Sequence, residues 1–123
     1  MGPEKSVNLL RELEQEMRVF QKIEESIESI QNRKRNRLSQ INENEMVKEE
    51  LKYVAADAVM YKLIGPTLIK KDKAEVAVTV DERLKYLQKE IKEINVEYTT
   101  LLENKEKQRE IIISLKKQVQ ASR

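Results

Sequence analysis

Val59-Met60-Tyr61-Lys62-Leu63-Ile64-Gly65-Pro66-Thr67-Leu68-Ile69-Lys70 is the stretch of this 123-residue chain whose apolar spacing decides the fold. Alternation puts Val59, Tyr61 and Leu63 on one side of an extended segment and Met60, Lys62 and Ile64 on the other. Past the break, Leu68 and Lys70 share one face, Thr67 and Ile69 the other. Gly65-Pro66 is a strong turn signal, because glycine supplies unusual φ values and proline cannot continue a ladder. The spacing predicts a β-hairpin over about 58–71. A lone two-stranded hairpin is marginal in water, and its unpaired edges invite other chains. Neighbouring subunits are therefore expected to complete it into a sheet or barrel. Val59, Tyr61, Leu63, Gly65, Pro66, Leu68 and Ile69 form the expected oligomerisation element.

Outward from the hairpin the period changes to that of a coiled coil. Leu84, Leu87, Ile91, Ile94, Tyr98, Leu101, Lys105, Gln108, Ile112, Leu115 and Val119 recur at alternating spacings of three and four. Such a stripe returns to one helix face every 3.5 residues and favours a left-handed supercoil with a partner helix. The first arm reads less regularly. Leu10, Leu13, Met17 and Phe20 hold one phase, Ile23, Ile27 and Ile30 shift it, and Leu38, Ile41 and Leu51 resume it. No proline or glycine interrupts residues 4–64. An N-terminal helix over about 5–54 follows, and about 40 residues of it would make an arm of roughly 60 Å. For the C-terminal helix, Asp72-Lys73-Ala74-Glu75 and Thr79-Val80-Asp81-Glu82 both match a capping box. The backward extension of the stripe through Val80 and Ala77 favours the earlier start, giving a helix over about 73–121. The β-branched run Val76–Val80 argues the other way.

These elements predict one mainly α domain over 1–123: a long antiparallel coiled-coil helical hairpin carrying one central β-hairpin. With the arms level, residues whose numbers sum to about 129 face one another. Leu10 would then meet Val119, Met17 would meet Ile112, and Leu38 would meet Ile91. Glu24 would lie opposite Lys105, two stripe positions where charge replaces an apolar side chain, and this pair is expected to fix the register.

Composition narrows the chemistry. Charged residues make up 37% of the chain and aromatics 4%, which suits long helices better than a compact globule. The net charge of +2 comes from nearly balanced signs, so no global pull toward nucleic acid or membrane follows. The absence of cysteine and histidine removes disulfides, Cys/His zinc sites, thiol nucleophiles and imidazole acid–base chemistry. The only glycines are Gly2 and Gly65, so no phosphate-cradling loop can be built. Carboxylates on wet helix faces have no reason to shift in pKa. No enzyme, metal or cofactor is expected. No apolar run approaches the ~20 residues of a membrane span, and the N-terminus lacks a signal-peptide core. A cytoplasmic protein is the expectation.

Long helix, β-hairpin and long helix in this length resemble the β-class subunits of prefoldin. The likeness is carried by Val47–Leu51, by Tyr61-Lys62-Leu63-Ile64-Gly65-Pro66-Thr67-Leu68-Ile69-Lys70-Lys71, by Arg83–Leu87 with Glu90-Ile91-Lys92, and by Lys107–Glu110. The first forty residues match only in heptad character. The resemblance implies an ATP-independent co-chaperone within a heterohexamer of two α-class and four β-class subunits, joined through β-barrels. It implies coiled-coil tips that hold unfolded clients, such as actin and tubulin, and pass them to the cytosolic group II chaperonin. A single hairpin fits the β class.

At the chain ends the apolar residues exceed what one seam needs. Ile111-Ile112-Ile113 places Ile113 outside the stripe, Leu9 and Leu10 are adjacent, and Val7 and Val19 lie off it. Val7, Leu9, Leu10, Leu13, Ile111, Ile113 and Val119 are the expected client-binding residues. The basic run Arg33-Lys34-Arg35-Asn36-Arg37 lies within a helix, so its charges radiate around the cylinder, and no aromatics interleave as stacking platforms. A solvated coil surface is the better reading than a nucleic-acid patch. A structural coiled-coil scaffold is the remaining alternative; it explains the heptads but not the hairpin.

Overall fold

The computed structural model describes the backbone of residues 3–64 and 67–122, and the side chains there except at 62–64 and 67. The order is α1 (Pro3–Leu51), β1 (Val59–Ile64), β2 (Thr67–Asp72) and α2 (Lys73–Ala121). Pro3 occupies the first helical position, where its missing N–H costs nothing and its fixed φ suits the helix. α1 ends at Leu51, not at 54. Lys52, Tyr53 and Val54 donate their N–H groups to the carbonyls of Glu49, Glu50 and Leu51 at 3.1–3.2 Å. These i→i+3 bonds tighten the last turn out of α geometry. Lys73 Nζ reaches back to the Val54 carbonyl at 2.8 Å, tying the connecting segment to the start of α2.

The start of α2 is decided by Asp72, whose carboxylate accepts the Glu75 N–H at 2.8 Å. Capping satisfies one of the orphan donors of the first turn. The β-branched run Val76–Val80 is therefore helical, and Thr79 turns its hydroxyl onto the Glu75 carbonyl. A cap and an apolar face outweigh the intrinsic strand preference of valine here.

β1 and β2 pair antiparallel in the register Val59↔Asp72, Met60↔Lys71, Tyr61↔Lys70, Lys62↔Ile69, Leu63↔Leu68, Ile64↔Thr67. Gly65 and Pro66, the expected turn, lie outside the described residues, as does the Leu63 side chain. The face carrying Met60 packs on a core of Leu51, Val80 and Leu84, joined by Ile41, Val76 and Ala77.

The chain divides into two compact units, one of residues Met1–Arg33 with Ile94–Arg123 and one of Lys34–Glu93. In the first, α1 and α2 run antiparallel. Ser6 donates to the Ser122 hydroxyl at 3.3 Å, the Gln108 amide to the Glu16 carbonyl at 2.9 Å, and the Gln31 amide to the Tyr98 hydroxyl at 3.4 Å. In the second they do so again, with an Arg37–Glu90 ion pair and Lys48 Nζ 3.1 Å from Asp81.

The α2 stripe is buried as its spacing requires, at Val80, Leu84, Leu87, Ile94, Gln108, Ile112, Leu115 and Val119. On α1 the expected phase is wrong. Leu10, Met17 and Leu38 are 42%, 48% and 46% exposed. The inward positions are Leu9, Leu13, Glu16, Phe20, Ile23, Ile27, Ile30, Lys34, Arg37, Ile41 and Asn44, all buried or half-buried. This series alternates four and three without interruption, so no phase shift exists. Helix geometry keeps the face, and the polar residues on it reach past the seam or hydrogen-bond across it. Leu84→Ala should therefore cost roughly 2–5 kcal/mol, read as a lowered thermal midpoint. Leu38→Ala should change stability by no more than about 0.5 kcal/mol; a loss matching that of Leu84→Ala would restore Leu38 to the seam.

Candidate functional site

Two surfaces stand out, one in each unit. In the hairpin, β alternation sends Met60 to the helical core and leaves Val59, Tyr61 and Leu68 on the opposite face. Tyr61 and Leu68 are 63% and 62% exposed, and Val59 is also exposed. Ile69 lies on the core-facing side yet is exposed as well. An apolar face on a two-stranded sheet with open edges is a surface built to be covered.

In the unit formed by the chain ends, Val7, Leu10, Met17, Val19, Ile111 and Ile113 are exposed. Of these, Met17 and Ile113 line an open groove of ≈ 720 Å³ together with Phe20 and Ile112, and Arg18, Glu24, Arg109 and Lys116 add charge to it. Val119 is only 7% exposed. It fills the seam, so it is not part of an accessible client surface. Leu9 and Leu13 are half-buried seam residues for the same reason. Val7, Leu10, Ile111 and Ile113 remain open to solvent. The expected phase puts Met17 in the seam, whereas it is 48% exposed and lines the groove. Its place on the groove follows once the stripe is begun at Leu9 instead of Leu10.

Lys105 Nζ lies 3.7 Å from the Glu24 carboxylate and 5.7 Å from the centre of the Phe20 ring. A second polar contact, unforeseen from the sequence, is more secluded. Gln108 is buried and its amide bonds both the carbonyl and the carboxylate of Glu16. Sequence spacing places Gln108 on the stripe but does not reveal a partner five residues away from the level register.

Two of the four basic residues in the run 33–37 pair with α2. Arg33 faces Glu97 at 3.5 Å in one unit, and Arg37 pairs with Glu90 in the other. The hydrogen bond from Tyr86 to the Glu90 carboxylate raises the phenol above its usual value. Arg109 lowers Glu106 and is itself raised by it, through an exposed i,i+3 pair. Each shift comes from a neighbouring partner on a wet helix face, without the burial that tunes catalytic groups. Among the described residues, no cluster of acidic side chains is placed to hold a metal, and no helix is long and apolar enough to cross a membrane.

A family model described as prefoldin subunit (Prefoldin_2) matches residues 12–119. The chain belongs to the prefoldin family. It is similar to prefoldin subunit 6 of Arabidopsis thaliana, 34% identical over 92% of this chain and 88% of that protein. It is also similar to prefoldin subunit 6 of Homo sapiens, 31% identical over 89% of this chain and 85% of that one. A crystal structure of the prefoldin beta subunit from Thermococcus strain KS-1 aligns with 98% of this chain and 93% of its own, at 21% identity and a TM-score of 0.46. Prefoldin membership supports a co-chaperone role and implies assembly with other prefoldin subunits.

A double-mutant cycle of Glu24→Ala and Lys105→Ala should give a coupling of about 0.2–1 kcal/mol, fading in high salt as exposed pairs do. Zero coupling at low salt would remove this pair from any role in register.

Proposed function

We propose that this chain is a β-class subunit of a heterohexameric prefoldin. It takes its place through the open hairpin face and holds unfolded polypeptide on the apolar surface near its chain ends. The observation that carries this reading is the exposure of Val7, Leu10, Met17, Ile111 and Ile113 in the unit that contains both chain ends, with Met17 and Ile113 sharing one groove. A two-stranded coil has no structural use for apolar side chains off its seam. Unfolded clients expose apolar segments that such a surface takes up, and Arg18 and Lys116 on the groove add attraction for acidic client stretches. Holding and release need no nucleotide, because they rest on apolar contact and on competition with the next chaperone. Actin- and tubulin-like chains are the proposed clients, the group II chaperonin their proposed recipient, and the cytoplasm the proposed compartment. The single hairpin, with its apolar face outward, supports the β class and disfavours a scaffold made of coiled coil alone.

Ile113→Glu combined with Val7→Glu should leave assembly with partner subunits intact. It should reduce suppression of client aggregation by the assembled complex severalfold, measured by light scattering of a diluted unfolded client. Unchanged suppression by a fully assembled complex would overturn the client-binding part of this reading.

A further inference from the structure

A cavity of ≈ 500 Å³ lies in the Lys34–Glu93 unit where the hairpin meets the helices. Its volume falls within the roughly 300–1,000 Å³ of well-formed binding sites. Val47 of α1, Val59 of β1 and Val76 and Val80 of α2 supply apolar wall, and Lys71 and Arg83 supply charge. No acidic side chain lines it among the described residues. Of the carboxylates near it in sequence, Asp72 accepts the Glu75 N–H and Asp81 pairs with Lys48, while Glu82, next to Arg83, is exposed and does not line the cavity. Two cations beside an apolar hollow, with no ion-pair partner among the described residues, match an occupant that brings both an apolar side chain and carboxylates.

We propose that this cavity is a docking pocket for a neighbouring prefoldin subunit, which inserts an apolar side chain flanked by acidic residues. The proposal rests on reading the chain as an assembling subunit and names what one part of that assembly recognises. Val59 both lines the cavity and stands on the exposed hairpin face. An occupant of the cavity is thus continuous with whatever covers the hairpin. A charge pattern fixed in space selects a folded partner, since an unfolded client presents no constant placement of carboxylates. Burying the partner's apolar side chain supplies affinity, and Lys71 and Arg83 supply selectivity and rate.

Because the chain has no cysteine, Val47→Cys places a single thiol at the pocket for a short photo-crosslinker. In the complex reconstituted from full-length subunits, the expected crosslink joins a partner subunit at an apolar residue beside Asp or Glu. A crosslink to added unfolded client instead, or maleimide labelling as fast in the complex as in the free chain, would overturn the proposal. In parallel, K71E/R83E should weaken assembly about tenfold, and K71Q/R83Q by less. Assembly of K71E/R83E with native affinity and salt dependence would also overturn it. L68E separates the two readings. If L68E blocks assembly while K71E/R83E does not, only the pocket falls; if L68E assembles like the native chain, the assembling hairpin face falls with it.

Discussion

A two-stranded sheet has one face to bury and no third strand to share the task, so the hairpin exists only because the helices provide its floor. Met60 packs onto Leu51, Val80 and Leu84, which come from the end of α1 and the first turns of α2. Everything at the root serves that contact. The tightened turn at 52–54 stops α1 in time, Lys73 holds the connecting segment by the Val54 carbonyl, and Asp72 ends β2 by capping α2. Fixing Met60 inward also fixes the opposite face. Register makes Val59, Tyr61 and Leu68 point outward together, so the same interaction that stabilises the hairpin exposes its apolar side.

Away from the root, each unit is held by a seam that tolerates polar residues at a surprising number of α1 positions. α2 contributes most of the buried apolar side chains, whereas α1 contributes Ile30 and Leu51. At Glu16 and Arg37 the polar groups of α1 find partners on α2, through Gln108 and Glu90. Such contacts add little net stability when exposed. They do discriminate between registers, because a shift would strand a buried amide without its acceptor. Apolar burial on α2 thus supplies affinity between the arms, and polar pairing on α1 supplies their alignment.

The hairpin and α2 were legible from sequence because each has a single clean period: two for 59–64, and alternating three and four from Leu84 onward. The choice of α2 start also followed from sequence, since the stripe through Val80 and Ala77 agreed with the Asp72 cap against the valine-rich run. α1 misled for a definite reason. At Leu9-Leu10 and Glu16-Met17, the more apolar or equally apolar neighbour lies off the true face, so residue type and helix geometry disagree. Choosing type produced an artificial phase shift at Ile23 and placed Met17 and Leu38 inside. Val119 is expected on the client surface for its place near the chain end, although its own stripe puts it in the seam, where it is buried. The root cavity could not be read at all, since it forms where four elements meet and no single period places their side chains against one another.

Backbone hydrogen exchange across 59–72, compared between the isolated chain and the chain assembled with its partner prefoldin subunits, tests most directly whether the outward hairpin face is an assembly element. Strand amides with no partner in the isolated two-stranded sheet should become strongly protected on assembly, in step with burial of Val59, Tyr61 and Leu68. Exchange that stays as fast in the assembled complex as in the isolated chain would contradict it.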